Sequence, residues 1–204
     1  MEQQNEMFMS TEDQILGAAI DLMEKRGFKA VTTKEIAAEA GFSEMTLFRR
    51  FGTKKKLLEA AVERYSYIID MENIFQKYIT YELEEDLMLV SKTYHRYMIQ
   101  NQKIVLLAFQ ERNTYPMIAE KTAESPKILK DYLVRYFTEM QKREKIIAVD
   151  SEIQAMSFLW MNFGYFMSRY IAGESVSQVP LSTFIDESVK AFSRGIKKEA
   201  IIVY

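Results

Sequence analysis

A dense cluster of positive charge lies in the first quarter of the chain. Between residues 25 and 56, nine cations stand against three acids, a local balance of +6 in a chain whose formal net charge is −2. The cations are Lys25, Arg26, Lys29, Lys34, Arg49, Arg50, Lys54, Lys55 and Lys56, and the acids are Glu35, Glu39 and Glu44. Neutralising DNA phosphates requires such a local concentration, because the free energy comes from counterion release. A solvated helix surface also carries charge runs, so the cluster alone leaves both interpretations open.

Two short helical segments within this cluster predict a helix-turn-helix. Thr33 is expected to cap a helix that ends near residue 40, and Ser43 to cap a helix over residues 44–50. The turn that separates them begins at Gly41, where a positive φ would cost glycine least. Two short helices joined in this way form the helix-turn-helix unit that enters DNA grooves.

The second helix of this unit, predicted over residues 44–50, carries side chains suited to base edges. Short polar and cationic groups are what a recognition helix presents to the major groove, and Ser43, Glu44, Thr46, Arg49 and Arg50 supply them. Leu47 and Phe51 lie four residues apart and are expected to face the core. Thr33 and Thr53 begin helices, whose free backbone amides favour phosphate.

Further helices are predicted on both sides of this unit. The first begins near Thr11, where Thr11-Glu12-Asp13-Gln14 fits a capping box, and stops at Gly27. Residues 1–10 are expected to form a flexible tail. The fourth helix begins at Lys54, behind the cap Thr53, and is expected to run to about Phe75.

The rest of the chain is also predicted to be helical. Apolar periodicity predicts helices over about 84–101, 103–113, 125–145, 151–173 and 181–198, and breaks are expected at Tyr115-Pro116, Ser125-Pro126, Gly173 and Pro180. The prediction is an all-α fold of about nine helices. It comprises a helix-turn-helix DNA-binding domain over residues 11–57 and a larger ligand-binding and dimerisation domain over residues 58–204.

The chain lacks the residues that several kinds of functional site require. The chain has no cysteine and one histidine, so we expect no disulfide, no transition-metal site and no cofactor. No phosphate-binding glycine loop and no nucleophile–base pair marks an enzyme. His95 is expected at the surface or at the edge of the core. With no signal peptide and no apolar stretch of about 18 residues, a cytoplasmic protein away from the membrane is expected.

The head resembles the TetR (tetracycline repressor) family of bacterial regulators over residues 11–58. The resemblance lies in Ile15-Leu16-Gly17-Ala18-Ala19, Gly27-Phe28, Thr32-Thr33, Ile36-Ala37-Ala38-Glu39-Ala40-Gly41-Phe42-Ser43, Thr46-Leu47-Phe48 and Phe51-Gly52-Thr53-Lys54-Lys55-Lys56-Leu57-Leu58. It implies an all-α homodimer with a three-helix DNA-binding head and a variable C-terminal ligand domain. It also implies DNA contacts at Thr33, Thr46 and Lys54.

Three positions depart from the family pattern. Met45 stands where glycine is frequent, Phe48 where tyrosine is frequent, and Arg50 where histidine or tyrosine is frequent. Phe48 lacks a hydroxyl for phosphate, whereas Arg50 can bind phosphate or guanine. The predicted DNA-binding residues are Thr33, Ser43, Glu44, Met45, Thr46, Phe48, Arg49, Arg50, Thr53 and Lys54.

The C-terminal half contains an apolar helix and many aromatic residues. Residues 158–167 are apolar on nearly all sides, which requires cover from a core or from a second subunit. The resemblance implies a homodimer through the helices Ile153–Ile171 and Leu181–Ile196, with a seam of Ile185, Val189, Phe192 and Ile196. The alternative is an intramolecular core. An apolar ligand pocket is predicted from Tyr94, Met98, Phe109, Phe137, Trp160 and Phe163, although each of these also fits a plain core.

Together these features predict a ligand-responsive DNA-binding regulator. We expect a repressor that is released from palindromic double-stranded DNA by a small hydrophobic or aromatic effector. The alternative is a helical adaptor that binds proteins and has lost sequence-specific DNA binding.

Overall fold

The computed structural model describes residues 10–64 and 68–198, and within these ranges the fold is all-α. The described part contains ten helices and no strand, apart from one isolated bridge between Ile146 and Lys197. The predicted fold class is confirmed. The helices are α1 Thr11–Arg26, α2 Thr33–Glu39, α3 Glu44–Phe51, α4 Lys54–Arg64, α5 Ile68–Lys77, α6 Leu83–Gln100, α7 Gln102–Glu111, α8 Pro116–Lys142, α9 Ser151–Ala172 and α10 Leu181–Ile196.

Two predicted helix caps are off by one residue. The N-cap of α1 is Ser10, whose side chain accepts from the Asp13 amide, and the N-cap of α2 is Thr32 rather than Thr33. In both cases the residue three positions on is acidic, which is the pairing that a capping box needs. Residues 1–9 of the predicted tail lie outside the described residues, as do residues 65–67 of the predicted fourth helix.

The break predicted at Pro126 was wrong. Helix α8 runs through this proline over 27 residues. An internal proline removes one backbone hydrogen bond and costs about 3 kcal/mol. Burial of the helix's apolar side, including Leu129 and Leu133, outweighs that cost.

The chain divides into two compact units. The first comprises residues 1–66 and 101–123, and the second comprises residues 67–100 and 124–204. In the first unit, α1 packs against α2, α4 and α7 around one buried core. Ile15, Ile36, Leu47 and Leu57 are fully buried in this core, so the head predicted from the N-terminal sequence has an apolar interior. The functions predicted for the domains stay predictions.

The second unit is organised around α6. This helix packs against α5, α9 and α10. Its first turn carries the buried carboxylate of Asp86, which accepts from the Thr80 amide at 2.9 Å, the Thr80 hydroxyl at 3.0 Å and the Tyr136 hydroxyl at 2.9 Å. A buried carboxylate is tolerated only when its oxygens are bonded. Burial raises the pKa of Tyr136, so its hydroxyl stays a donor. None of the described helices combines the length and apolarity needed to cross a membrane.

Removal of the Tyr136 hydroxyl tests this network. We expect Tyr136→Phe to lower the free energy of unfolding by about 1–3 kcal/mol, because one buried oxygen of Asp86 loses its donor. Denaturant unfolding followed by circular dichroism measures the change. Tyr132→Phe is the control, because the Tyr132 ring stacks on Phe75 and the contacts described for it involve no hydroxyl bond. Equal stability of both variants would contradict the role given to the network.

Candidate functional site

The turn of the helix-turn-helix is held by backbone geometry. Gly41 adopts a φ of +76°, as predicted, and the Phe42 amide donates to the Ala37 carbonyl at 2.8 Å. The start of α2 is fixed by a reciprocal capping box, in which Glu35 accepts from the Thr32 amide at 2.8 Å. Bonds from Thr32 and from the Arg26 guanidinium lower the pKa of Glu35 to about 2. This carboxylate therefore stays charged at neutral pH.

Helix α3 has one buried side and one exposed side. Ser43 caps it as predicted and accepts from the Thr46 amide at 3.2 Å. Leu47 is fully buried, which confirms its predicted inward direction. Met45 and Phe48 are 80% and 65% exposed. These two residues are three positions apart and therefore lie on the same side of the helix.

Several polar residues predicted to contact DNA are paired within the first unit. The Thr33 hydroxyl donates to Glu44 at 2.6 Å, and Arg50 forms an ion pair with Glu12 at 2.9 Å. These pairs lie at the surface, where ion pairs contribute about 0–1 kcal/mol and can exchange partners. Arg49 is exposed beside them. These positions leave the predicted contacts possible, and DNA contact by these residues stays a prediction.

Lys54, which the resemblance places at a DNA-contacting position, is bonded within the first unit, and its contact with DNA stays a prediction. Its ammonium group donates to the carbonyls of Phe28 and Val31 at 2.7 and 2.5 Å and lies 4.4 Å from the centre of the Phe28 ring. Partial burial lowers its pKa, and the charge of Glu111 opposes that shift. In this arrangement Lys54 fastens the start of α4 to the segment after α1. Thr53 accepts from the Lys56 amide at 3.1 Å, which confirms its predicted cap.

The six residues predicted to line a ligand pocket do not lie together. Tyr94, Met98 and Phe137 are buried in the core of the second unit, and Phe109 belongs to the first unit. Phe163 is partly buried, whereas Trp160 is 64% exposed on α9. Aromatic and methionine content alone does not separate pocket from core, because both are apolar.

A different set of residues surrounds a cavity of about 120 Å³ in the second unit. It lies among α6, α9 and α10 and is lined by His95, Ile99, Tyr165, Phe166, Arg169, Tyr170 and Leu181. None of the six predicted residues lines it. The spacings 95/99 on α6 and 165/169 on α9 share helix faces and could have indicated it. The prediction placed His95 at the surface or the core edge, but its ring is only 1% exposed.

Polar bonds fix the orientation of His95. The Asn162 amide donates to the Phe158 carbonyl at 2.8 Å, so its oxygen faces Ser91 and His95. That oxygen accepts from the Ser91 hydroxyl at 2.5 Å and from Nε2 of His95 at 3.1 Å. Desolvation lowers the pKa of His95 to about 4, with the Asn162 bond opposing it. The imidazole is therefore neutral at neutral pH.

In the two helices predicted to form the dimer, α9 and α10, the exposed apolar side chains are not those of the predicted seam. The predicted seam residues Ile185, Val189 and Ile196 are buried within their own unit, where α10 packs on α6. The exposed side of α9 instead carries Ile153, Trp160 and Ile171, at 61%, 64% and 71% exposure. These residues are 7 and 11 positions apart, which places them on one side of the helix.

Helix-turn-helix geometry in an all-α chain defines a class of DNA-binding regulators, and comparisons agree with it. Residues 15–61 match the bacterial regulatory proteins of the tetR family. An uncharacterised HTH-type transcriptional regulator of Bacillus subtilis, YvkB, is 30% identical over 189 residues, which cover 93% of this chain and 98% of the relative. The chain belongs to the tetR family and is a transcriptional regulator.

Solved structures share the fold at low sequence identity. FadR of Bacillus subtilis, in complex with stearoyl-CoA, has a TM-score of 0.72 at 18% identity, covering 90% of this chain and 98% of that one. NalD of Pseudomonas aeruginosa, the secondary repressor of the MexAB-OprM multidrug efflux pump, has a TM-score of 0.73 at 14% identity, covering 93% and 98%. At these identities, the similarity shows the fold.

A comparison of substitutions at Lys54 and Lys56 tests whether Lys54 stabilises the fold. We expect Lys54→Met to lower the free energy of unfolding by about 1–3 kcal/mol, because the Phe28 and Val31 carbonyls lose a charged donor. Lys56→Met removes the same charge from an exposed side chain, and its stability should match that of the wild type. Thermal unfolding at low salt compares the two. Indistinguishable melting temperatures would contradict the structural role of Lys54.

Proposed function

We propose that this chain is a dimeric repressor that reads a palindromic DNA operator with α3 and releases it when a small effector binds. The observation that carries the proposal is the two-sided character of α3. Leu47 anchors the helix in the core while Met45, Phe48 and Arg49 are exposed on it. A helix presented in this way fits the major groove.

Different exposed side chains of α3 are suited to different features of the bases. Arg49 and Arg50 can donate two hydrogen bonds to guanine, and Glu44 can accept from cytosine. Met45 and Phe48 are suited to thymine methyl groups, which are the apolar feature of the major groove. Binding by Arg50 and Glu44 requires their present partners, Glu12 and Thr33, to be released.

Phosphate contacts are assigned to the helix starts. Thr33 and Thr53 lie at the N-termini of α2 and α4, where amides and hydroxyls favour anions, whereas Ser43 and Thr46 at the start of α3 are assigned to base edges. Such contacts set the register of the protein on the duplex. Lys54 contributes to this surface by holding the start of α4 rather than as a free cation.

Dimerisation is assigned to α9 and α10, over Ile153–Ile171 and Leu181–Ile196. The exposed stripe of Ile153, Trp160 and Ile171 would be covered by the same stripe of a second copy, because a two-fold interface uses one surface twice. A two-fold dimer also matches a palindromic operator, whose half-sites lie about 34–36 Å apart.

Effector release is proposed to work through a population shift. A ligand that binds more tightly to a dimer with another spacing of recognition helices weakens DNA binding by linkage. The helix that starts at Lys54 leads out of the head and is the proposed lever. The complex of FadR, a protein of the same fold, with stearoyl-CoA supports a small-molecule effector for this chain.

Selection from random duplexes at low salt tests the DNA-binding proposal. We expect an enriched palindrome whose affinity falls steeply as salt rises, because phosphates are neutralised. Arg49→Ala should weaken binding to that duplex about 10- to 100-fold. Lys142→Ala, an exposed cation on α8, serves as the control and should leave affinity unchanged. Absence of any enriched sequence would favour the adaptor.

Introduction of a charge into the stripe tests the dimer. Trp160→Glu should convert the dimer to a monomer, because an unpaired carboxylate in an apolar interface is costly. Tyr78→Glu places the same charge at another exposed aromatic, at the end of α5, and should leave the dimer intact. Sedimentation velocity measures both. A folded Trp160→Glu variant that stays dimeric would move the interface elsewhere.

A further inference from the structure

We propose that the cavity lined by His95 and Arg169 binds a single-ring aromatic acid that carries a hydroxyl opposite its carboxylate. The inference deepens the proposed function, since it rests on the small-molecule effector proposed for this chain. It depends on three features of the second unit: the size of the cavity, one unpaired acceptor on the lining residue His95 and the guanidinium of the lining residue Arg169.

Cavity size selects a single ring. A volume of about 120 Å³ is close to the roughly 150 Å³ of an apolar cavity that binds benzene in another protein. Ile99, Phe166 and Leu181 give the cavity an apolar lining. Tyr165 adds an aromatic face and is itself fixed, because it stacks on Phe184 at 4.2 Å. Flat apolar ligands suit such walls.

His95 supplies a hydrogen-bond acceptor. Its Nε2 carries the proton that it donates to Asn162, so in the neutral ring Nδ1 holds a lone pair. Nδ1 has no hydrogen-bond partner among the residues that the structure describes. An unpaired acceptor on a residue that lines the cavity favours a ligand with a hydroxyl at that end.

Arg169 supplies a cationic group for the carboxylate of the ligand. Its guanidinium donates to the Glu174 carboxylate at 2.7 Å and to the Ser177 carbonyl at 3.4 Å, and both partners belong to the exposed connection of residues 173–180. The bond to Glu174 shows that the guanidinium can donate to a carboxylate in this position. A ligand carboxylate can take its place with a paired geometry.

The spacing on α9 agrees with one ring between the two groups. Asn162, which holds His95, and Arg169 are seven residues apart, a rise of about 10 Å along the helix. A ring with substituents at opposite positions, with one hydrogen bond at each end, spans a length of this order and offers a hydroxyl to His95 and a carboxylate to Arg169.

Calorimetry of the full-length protein with a probe series tests the proposal. We expect 4-hydroxybenzoate to bind about tenfold more tightly than benzoate, which lacks the donor for His95, and than methyl 4-hydroxybenzoate, which lacks the charge for Arg169. Equal affinities across the three probes, or no binding of any of them, would overturn it. The series probes His95 without a substitution in the buried network.

Variants at the guanidinium end sharpen the test. Arg169→Gln should weaken 4-hydroxybenzoate about tenfold and leave the methyl ester unchanged, whereas Glu174→Gln should strengthen the acid because its competitor is removed. Arg96→Gln is the matched control on α6, since Arg96 pairs with Asp70 and does not line the cavity. An Arg169→Gln variant that binds the acid normally would overturn the assignment.

The outcome separates this inference from the proposed function. A protein that binds an enriched duplex but none of the three probes is a DNA-binding regulator with another ligand, and the inference fails alone. If the three probes bind with the expected order of affinities but no duplex is bound, the inference on the cavity holds and the proposed DNA-binding function fails.

Discussion

The recognition surface depends on the burial of the inner sides of two helices that are too short to be stable alone. Helix α2 has seven residues and α3 has eight. Isolated helices below about 12 residues are marginal in water, so tertiary packing must supply their stability. Ile36 and Leu47 are fully buried against the core of the first unit. The direction in which Arg49 and Met45 point is a consequence of that packing.

The same packing changes how much of the positive charge is available. Lys54 turns inward onto two backbone carbonyls, and Arg50 is paired with Glu12, an acid outside residues 25–56. A local balance of +6 therefore overstates the charge that faces solvent. Electrostatic attraction brings a duplex close, whereas the side chains of α3 carry the discrimination between sequences.

Local chemistry in the sequence was enough to predict the helix-turn-helix. Gly41 and Ser43 were identified correctly, because positive φ and capping are properties of a few adjacent residues. Thr32 was missed in favour of Thr33, although Glu35 three residues on marks the true cap. The continuation of α8 through Pro126 could not be predicted locally, because the burial that outweighs the proline involves residues from distant helices.

The cavity was missed for a related reason. Tyr94 and His95 are neighbours in sequence, but one turns into the core and the other lines the cavity, and only the packing of α9 and α10 decides which. Once the structure is known, the polar set of Ser91, His95 and Asn162 needs an explanation. Apolar residues of the same shape would stabilise this core at least as well. The Ser91 hydroxyl and Nε2 of His95 both bond to the Asn162 oxygen, and Nδ1 of His95 has no partner among the described residues. The proposed recognition of a ligand at the cavity would account for a polar His95 at this position.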